Sequence, residues 1–359
     1  MGLDRDFWEG KRVLLTGHTG FKGAWLTLWL AKIGARVTGY SLDPPSEPNL
    51  FNVARVRDSL VKHHHADILD LQKIQAAVVE TAPEVIFHMA AQSLVRASYH
   101  EPVYTYAVNV MGTAHVLEAA RLATSVQAVV VITSDKCYEN LESGHPYRES
   151  DRLGGNDPYS ASKACAELVT ASYRTSFASK AGPPLRFASA RAGNVIGGGD
   201  WAVDRLVPDC VRAFAERKPV LLRYPEAVRP WQHALDPLFG YLQLVQALLS
   251  DHPDRYATAW NFGPDASSEA TVGDVAASVA RQWGSGAQVR IDRAAASHRE
   301  AEMLRLDSSK ARAELGWRPR WPLERSLQET VRWYRAWQDG LDMRRFSTEQ
   351  IEAYLQDAA

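Results

Sequence analysis

The sequence predicts an α/β protein: a doubly wound parallel sheet followed by a smaller mixed α/β lobe. Three observations carry this. Apolar strand-like runs alternate with helical runs through about residue 190. A glycine-rich turn, "TGHTGFKG" at 16–23, stands between the first strand and the first helix. Beyond the "GGGDW" stretch at 197–201 the alternation loosens into short strands and longer helices.

The elements follow in order. "RVLLTG" (12–17) reads as a first strand and "AWLTLWLAKIG" (24–34) as a helix ending at Gly34. "RVTGYSL" (36–42) is a second strand, followed by a proline-rich loop through Pro48. "HHHADI" (63–68), a helix from Leu71, "EVIFHMA" (84–90), a long helical stretch from about Tyr104 to Leu122 and "AVVVIT" (128–133) keep the same rhythm. A helix from Tyr159 to about Phe177 and a sixth strand in "LRFASARAGNVIGGGDW" (185–201) complete a Rossmann-type body. The remainder holds short strands at "VLLR" (220–223) and "AWNFG" (259–263) and helices from Thr271 to Trp283 and Pro322 to Trp337. The predicted division is a dinucleotide-binding domain over 1–190 and a substrate lobe over 191–359, with segments near 229–265 free to return to the first body.

Composition bounds the partners. The chain has 359 residues, 46% hydrophobic and 23% charged, with a formal net charge of -1. That balance is ordinary for a globular protein and gives no electrostatic footprint for nucleic acid or an anionic membrane, so a small molecule is the expected partner. The longest apolar stretch, Ala24 to Ala31, is far short of a membrane span. The amino terminus has no apolar segment of signal-peptide type, and Cys137, Cys165 and Cys210 are odd in number and widely separated. A reducing cytoplasm is the expected location.

Two motifs carry chemistry. Gly17, Gly20 and Gly23 permit a tight turn, close approach of a pyrophosphate and close helix–strand packing, which is dinucleotide-binding logic. Asp43, just past the second strand, is placed to accept bonds from a ribose, and the lack of an Arg directly after that strand favours NAD over NADP. Tyr159 and Lys163 stand four apart at a helix start, so both side chains share one face. An adjacent ammonium is expected to lower the Tyr159 pKa. A third feature is the polar cluster Thr133, Ser134, Asp135 and Lys136 closing an apolar strand. Side by side, an acid and an amine suit a reaction in which one proton is given and another taken. The run His63, His64, His65 does not predict a metal, because consecutive strand residues point to opposite faces.

These blocks resemble the extended short-chain dehydrogenases/reductases and, among them, the CDP-glucose 4,6-dehydratases. The resemblance covers nearly the whole chain. It rests on "GHTGFKGAWL" (17–26), "HMAAQSLVRASYHEPVYTYAVNVMGT" (88–113), "TSDKCYE" (133–139), "YSASK" (159–163), "RAGNVIGGGDW" (191–201) and "VRPWQH" (228–233). It implies that NAD is held by Gly17, Thr19, Gly20, Phe21, Lys22, Gly23, Asp43, Asp67, Ile68, Ala90, Ala91 and Asn109 together with Tyr159 and Lys163. Ser134, Asp135, Lys136, Tyr159 and Lys163 are implied to be catalytic. Gln92, Arg96, Asn194, Trp201, Arg229 and His233 are implied to bind the nucleotide sugar, with Arg191 also near its diphosphate. Asn109 is implied to act structurally and in proton relay near Lys163.

The reaction implied is conversion of CDP-D-glucose to CDP-4-keto-6-deoxy-D-glucose, by C4 oxidation, loss of water across C5 and C6, and hydride return to C6, in deoxysugar synthesis for an O-antigen-type polysaccharide. Dehydratases acting on dTDP-glucose and GDP-mannose typically carry Asp-Glu where this chain has Asp135-Lys136. A homodimer pairing the helices near 104–122 and 159–177 is implied, and no metal. Two other readings use the same features: a dehydratase or 4-epimerase for another nucleotide sugar, and an NAD-binding regulator without catalysis.

Overall fold

The computed structural model describes residues 2–141, 144–178, 185–292 and 304–357. Asp4 caps a short helix α1 (Arg5–Trp8), accepting bonds from the Asp6 and Phe7 amides, and this seats Trp8 in the core. Strands β1 (Arg12–Thr16), β2 (Arg36–Ser41), β3 (Lys62–His65), β4 (Val85–His88), β5 (Ala128–Ile132) and β6 (Arg186–Ala192) follow. Between them run α2 (Phe21–Lys32), α3 (Leu50–Val53), α4 (Leu71–Thr81), α5 (Val95–His100), α6 (Pro102–Tyr106), α7 (Gly112–Leu122) and α8 (Pro158–Phe177).

The carboxyl part contributes β7 (Val195–Ile196), α9 (Leu206–Ala215), β8 (Pro219–Leu222), β9 (Val228–Pro230), β10 (Gln232–His233), α10 (Leu235–Leu248), β11 (Ala259–Phe262), β12 (Glu269–Thr271), α11 (Val272–Trp283), β13 (Gln288–Ile291), α12 (Leu323–Gln338) and α13 (Met343–Gln356).

Seven strands form one sheet in the order β11-β6-β5-β4-β1-β2-β3, every pairing parallel. Helices cover both faces, so the strands are buried on both sides and read as continuous apolar runs. In β5, Val130 and Ile132 join one core with Leu15 and Trp29, while Val129 and Val131 join the opposite core with Leu14 and Ile86. The strand order reverses between β1 and β4, and the crevice beyond their carboxyl ends is where a ligand fits in such a sheet.

The seventh strand is "AWNFG", drawn from the carboxyl half. It pairs with β6 in the register Trp260 to Ala190 and Phe262 to Ala192, so the sheet takes its edge from far along the chain. Helix α10, buried along its whole length, returns the chain to that edge. The other strands of the carboxyl part form three two-stranded pieces: β10 with β7, β12 with β9, and β13 with β8. The stretch predicted as one helix from Tyr104 to Leu122 starts at Pro102 and carries a π-helical turn over Ala107–Met111. Such turns cluster at functional sites because they redirect one side chain, and here that side chain is Asn109.

Trp25 and Trp29 of α2 are fully buried. Trp25 Nε1 donates to the Gly198 carbonyl at 2.9 Å, and Trp29 packs edge-on against Tyr354 of α13. Truncating a buried Trp to Ala costs about 3–5 kcal/mol, so α2 is clamped against the carboxyl part from its first turn. Among the described residues no helix is long and apolar enough to cross a membrane.

Candidate active site

One cavity of about 1490 Å³ opens over the carboxyl ends of the central strands. It exceeds the roughly 300–1,000 Å³ usual for one small ligand, which leaves room for a dinucleotide and a second molecule.

The glycine turn forms one wall. Gly17 has φ +75°, and a Cβ there would stand 2.6 Å from the Ala90 nitrogen. A Cβ at Gly23 would stand 2.2 Å from the Gly17 carbonyl oxygen. Neither position admits a side chain, so α2 starts tight against the strand ends. Gly20 caps α2 without a side-chain bond, leaving the first-turn amides to face an anion. This donor set fits the pyrophosphate of a dinucleotide.

Thr19 is tied down by the Ser41 hydroxyl at 2.7 Å and the Leu42 carbonyl at 2.9 Å, which fixes the turn against β2. Asp43, Asp67, Ile68, Ala90 and Ala91 line the same wall. Asp43 is exposed and pairs with His65 at 3.3 Å. The three consecutive histidines diverge as a strand requires: His63 bonds His18 at 2.8 Å, His64 faces Glu80 and His65 faces Asp43. Among the described residues no cluster of His, Cys, Asp or Glu is placed to hold a metal.

The end of β5 forms the floor. Ser134 caps a short 3₁₀ turn over Asp135–Cys137, accepting from the Lys136 amide at 3.2 Å while its hydroxyl donates to Asp135 Oδ1 at 2.9 Å. Asp135 is 4% exposed, and burial raises its pKa against the opposing pull of Lys136, Ser134 and Arg229. Gly193 makes room for it, since a Cβ there would lie 2.9 Å from Asp135 Oδ2. Lys136, half-buried, lines the cavity beside it.

Helix α8 brings the next two groups. Asp157 caps it by accepting from the Ser160 amide, Pro158 starts the first turn, and Tyr159 and Lys163 project one turn apart into the cavity. Burial pushes the Tyr159 hydroxyl up to about 12, with the Ser134 hydroxyl and Arg205 opposing and Asp135 adding to the rise. The net shift is therefore upward, against the lowering expected from an adjacent ammonium, and burial of the hydroxyl is its largest cause. Lys163 is itself desolvated, its pKa down to about 8, and its ammonium donates to the Ile132 carbonyl at 3.4 Å. Lys22 also lines the cavity, and burial, with Lys163 and Arg205 nearby, brings it down to about 7.

Gln92, Arg96, Asn194, Trp201 and Arg229 line the cavity as well. Gln92 is already committed to the Leu94 carbonyl and the Thr105 hydroxyl. The Trp201 indole is wedged between Trp333 and Trp337, with ring centroids at 5.6 and 5.0 Å.

Three expected residues lie elsewhere. Arg191 does not reach the cavity: it is buried, pairs with Glu167 at 2.8 Å and donates to the Tyr138 hydroxyl at 2.7 Å. His233 is fully buried, packed on Trp25 and Trp321, with burial lowering its pKa to about 3. It stands behind Gly197, which lines the cavity, and does not line the cavity itself. Asn109 stands behind the wall, bonding both backbone groups of Gln92 and the Ser162 hydroxyl next to Lys163.

Sequence reading missed Glu167, Asp204 and Arg205. Glu167 follows Lys163 by four residues on the same face of α8, a readable signal; its carboxylate takes bonds from the Thr133 and Ser189 hydroxyls and Arg191. Arg205, held by Asp200 at 2.9 Å, faces Tyr159 from a loop with no local pattern.

Comparison with known proteins agrees with this geometry. Residues 14–330 match the family model described as GDP-mannose 4,6 dehydratase. The CDP-glucose 4,6-dehydratase of Salmonella typhimurium is 48% identical over 98% of both chains. The GDP-mannose 4,6-dehydratase of Yersinia enterocolitica is 26% identical, covering 89% of this chain and 93% of its own. Among solved structures, the UDP-glucose 4-epimerase of Thermus thermophilus in complex with NAD superimposes with a TM-score of 0.75 at 25% identity, over 90% of this chain and 99% of that one. With a match running from the first strand into α12 and near-half identity held end to end, this chain belongs to the GDP-mannose 4,6-dehydratase family, within the extended short-chain dehydrogenases/reductases.

Proposed function

We propose that the chain is an NAD-dependent CDP-glucose 4,6-dehydratase, a hydro-lyase that converts CDP-D-glucose to CDP-4-keto-6-deoxy-D-glucose. The observation that carries this reading is the buried Asp135 beside Lys136 at the end of β5, in one cavity with Tyr159 and Lys163. A simple oxidoreductase or 4-epimerase has no use for such a pair. The 48% identity to the Salmonella enzyme over the full length supports CDP as the nucleotide.

The glycine turn, Asp43, Asp67, Ile68, Ala90 and Ala91 hold NAD along the wall that they line. When bound there, NAD would supply a cationic ring that favours the Tyr159 phenolate and a hydride carrier between C4 and C6. Tyr159 takes the O4 proton, with Ser134 bonded to its oxygen and Lys163 and Arg205 as the nearby cations. The resulting ketone acidifies C5. Lys136 removes the C5 proton while Asp135 delivers one to the departing C6 hydroxyl. Burial raises the Asp135 pKa, the direction that a proton donor requires. Lys136 then returns a proton to C5. Asn109 acts by fixing Gln92 and Ser162 behind Lys163.

In this reading residues 1–190, with the returning 229–265 segment, form the cofactor body, and the rest of 191–359 closes over the nucleotide sugar. The protein works as a homodimer in the cytoplasm: α6, the π-turn and α8 expose Val103, Met111 and Leu168, apolar surface suited to a second copy. The test is turnover of CDP-, dTDP- and UDP-glucose and GDP-mannose, scored by mass loss of one water. Preferred loss of water from CDP-glucose is the expected result; an unchanged mass with an inverted C4 centre would replace this reading with a 4-epimerase.

A further inference from the structure

One buried ion pair touches both ends of the turn that carries Asp135 and Lys136. Glu167, on α8, and Arg191, on β6, meet at 2.8 Å. Glu167 Oε1 accepts from the Thr133 hydroxyl, two residues before Asp135. Arg191 Nη1 donates to the Tyr138 hydroxyl at 2.7 Å, two residues after Lys136, and the guanidinium lies 4.9 Å from the centroid of the same ring. Residues 134–137 therefore run between two anchors that share one ion pair.

The ends of this segment are held more firmly than its middle. Thr133 makes the last bond to the sheet, its amide donating to the Ala190 carbonyl at 3.0 Å, and the Gly154 amide ties the Cys137 carbonyl at 2.9 Å. Inside the turn the Cys137 amide reaches the Ser134 carbonyl at 3.2 Å and the Tyr138 amide the Asp135 carbonyl at 3.4 Å, at or past the long end for such bonds. The anchors are themselves braced. Glu167 Oε2 takes the Ser189 hydroxyl at 2.7 Å, and the Tyr138 hydroxyl donates to Asn261 Oδ1 of the edge strand β11 at 2.7 Å. Burial raises the Tyr138 pKa, so that hydroxyl keeps its proton and serves as acceptor and donor at once. Replacing a buried ion pair by apolar side chains of similar volume is often neutral for stability. What singles out this pair is where its bonds go.

We infer that Glu167 and Arg191 are positioning residues that staple the catalytic turn at Thr133 and at Tyr138, and so aim Asp135 and Lys136 at the C6 hydroxyl and the C5 proton. The staple rests on the reading of Asp135 and Lys136 as the elimination pair, and deepens it by naming what holds them in place. Tyr159 and Lys163 are carried by α8, a helix of 20 residues with its own bond ladder, and Ser134 adjoins the last sheet bond. Slack in the staple therefore falls mostly on Asp135 and Lys136, so it slows elimination more than oxidation.

The test follows reduced nicotinamide by stopped-flow absorbance in single turnovers of CDP-glucose by the NAD-loaded full chain. Thr133→Val and Tyr138→Phe each remove one hydroxyl from one end of the staple and leave the ion pair in place. In both, re-oxidation of the reduced cofactor is expected to slow on the order of tenfold to hundredfold, the usual consequence of a displaced catalytic group, while its formation slows far less. Thr133→Ser restores the hydroxyl and is expected to restore the wild-type rate. Re-oxidation at the wild-type rate in either variant, equal slowing of both steps, or a Thr133→Ser protein as slow as Thr133→Val overturns the staple. Loss of water from CDP-glucose by the wild type tests the function separately. If that fails, amide hydrogen exchange of the full chain still decides the staple: residues 135–138 must exchange faster in Thr133→Val and in Tyr138→Phe than in the wild type, with residues 129–131 unchanged, and exchange equal to the wild type overturns it.

Discussion

The Ser134 hydroxyl donates to Asp135 Oδ1 across 2.9 Å while the same side chain stands by Tyr159 and opposes the upward pull of burial on its hydroxyl. One small hydroxyl therefore joins the group proposed to start oxidation with the group proposed to complete elimination. The two half-reactions share a floor, and substitutions there separate them.

Tyr159→Phe removes the oxygen that accepts the O4 proton and keeps the ring. NAD and CDP-glucose are expected to bind as in the wild type while turnover falls on the order of a hundredfold to ten-thousandfold. Steady-state kinetics with parallel binding titrations check this, and near-normal turnover would refute the assignment.

Asp135→Asn and Lys136→Met act after the first hydride transfer. Each is expected to slow loss of water far more than C4 oxidation, so reduced cofactor builds up in a single turnover. Stopped-flow absorbance of the reduced nicotinamide reads this directly. Equal loss of oxidation and elimination in both variants would remove the pair from the elimination step.

Hydride return within one site makes a labelling prediction. Deuterium placed at C4 of CDP-glucose is expected at C6 of the 4-keto-6-deoxy product, detected by mass spectrometry or NMR. Label found in bulk solvent or in free cofactor would show that the hydride leaves the site.

Glu167 and Arg191 lie buried beneath the strand end, at 2% and 3% side-chain exposure. Burial alone would raise the Glu167 pKa, but Arg191 and the Thr133 and Ser189 hydroxyls together hold it below the usual range. A lowered folded value adds stability that is fully present above the ordinary carboxylate pKa, about 4.3, and is lost as pH falls through the folded value. Glu167→Gln is expected to destabilise by about 3–5 kcal/mol at neutral pH and to flatten the loss of stability below pH ~4. Urea unfolding at several pH values reads both effects, and an unchanged acid slope would contradict the pairing.

The exposed Val103, Met111 and Leu168 predict self-association. Light scattering at micromolar concentration is expected to give twice the chain mass of 39.9 kDa, and Leu168→Lys with Met111→Glu is expected to shift it toward the monomer. A wild type that scatters as the monomer alone would set the dimer aside.

Local pattern alone determined the parallel sheet, the glycine turn and the placement of Tyr159 and Lys163 on one helix face. The glycine turn and the Tyr159–Lys163 pair depend on spacings of about two helical turns or less, where backbone geometry leaves few choices, and the sheet on the alternation of strand and helix periods along the first part of the chain. The polar end of "VVVITSDK" was legible for the same reason: an apolar strand that stops on Ser134, Asp135 and Lys136 must put them at its carboxyl end. Tertiary structure decided the rest. Arg191 carries the same charge as Arg229, but long-range pairing with Glu167 takes it into the core and leaves Arg229 in the cavity. His233 looks from sequence like a substrate contact, and the packing of Trp25 and Trp321 around it puts it one layer too deep. The upward pull on Tyr159 comes from desolvation, a property of enclosure that no spacing encodes. The meeting of Arg96 with Arg223 over Asp204 spans 127 positions of sequence, a contact that no local pattern encodes.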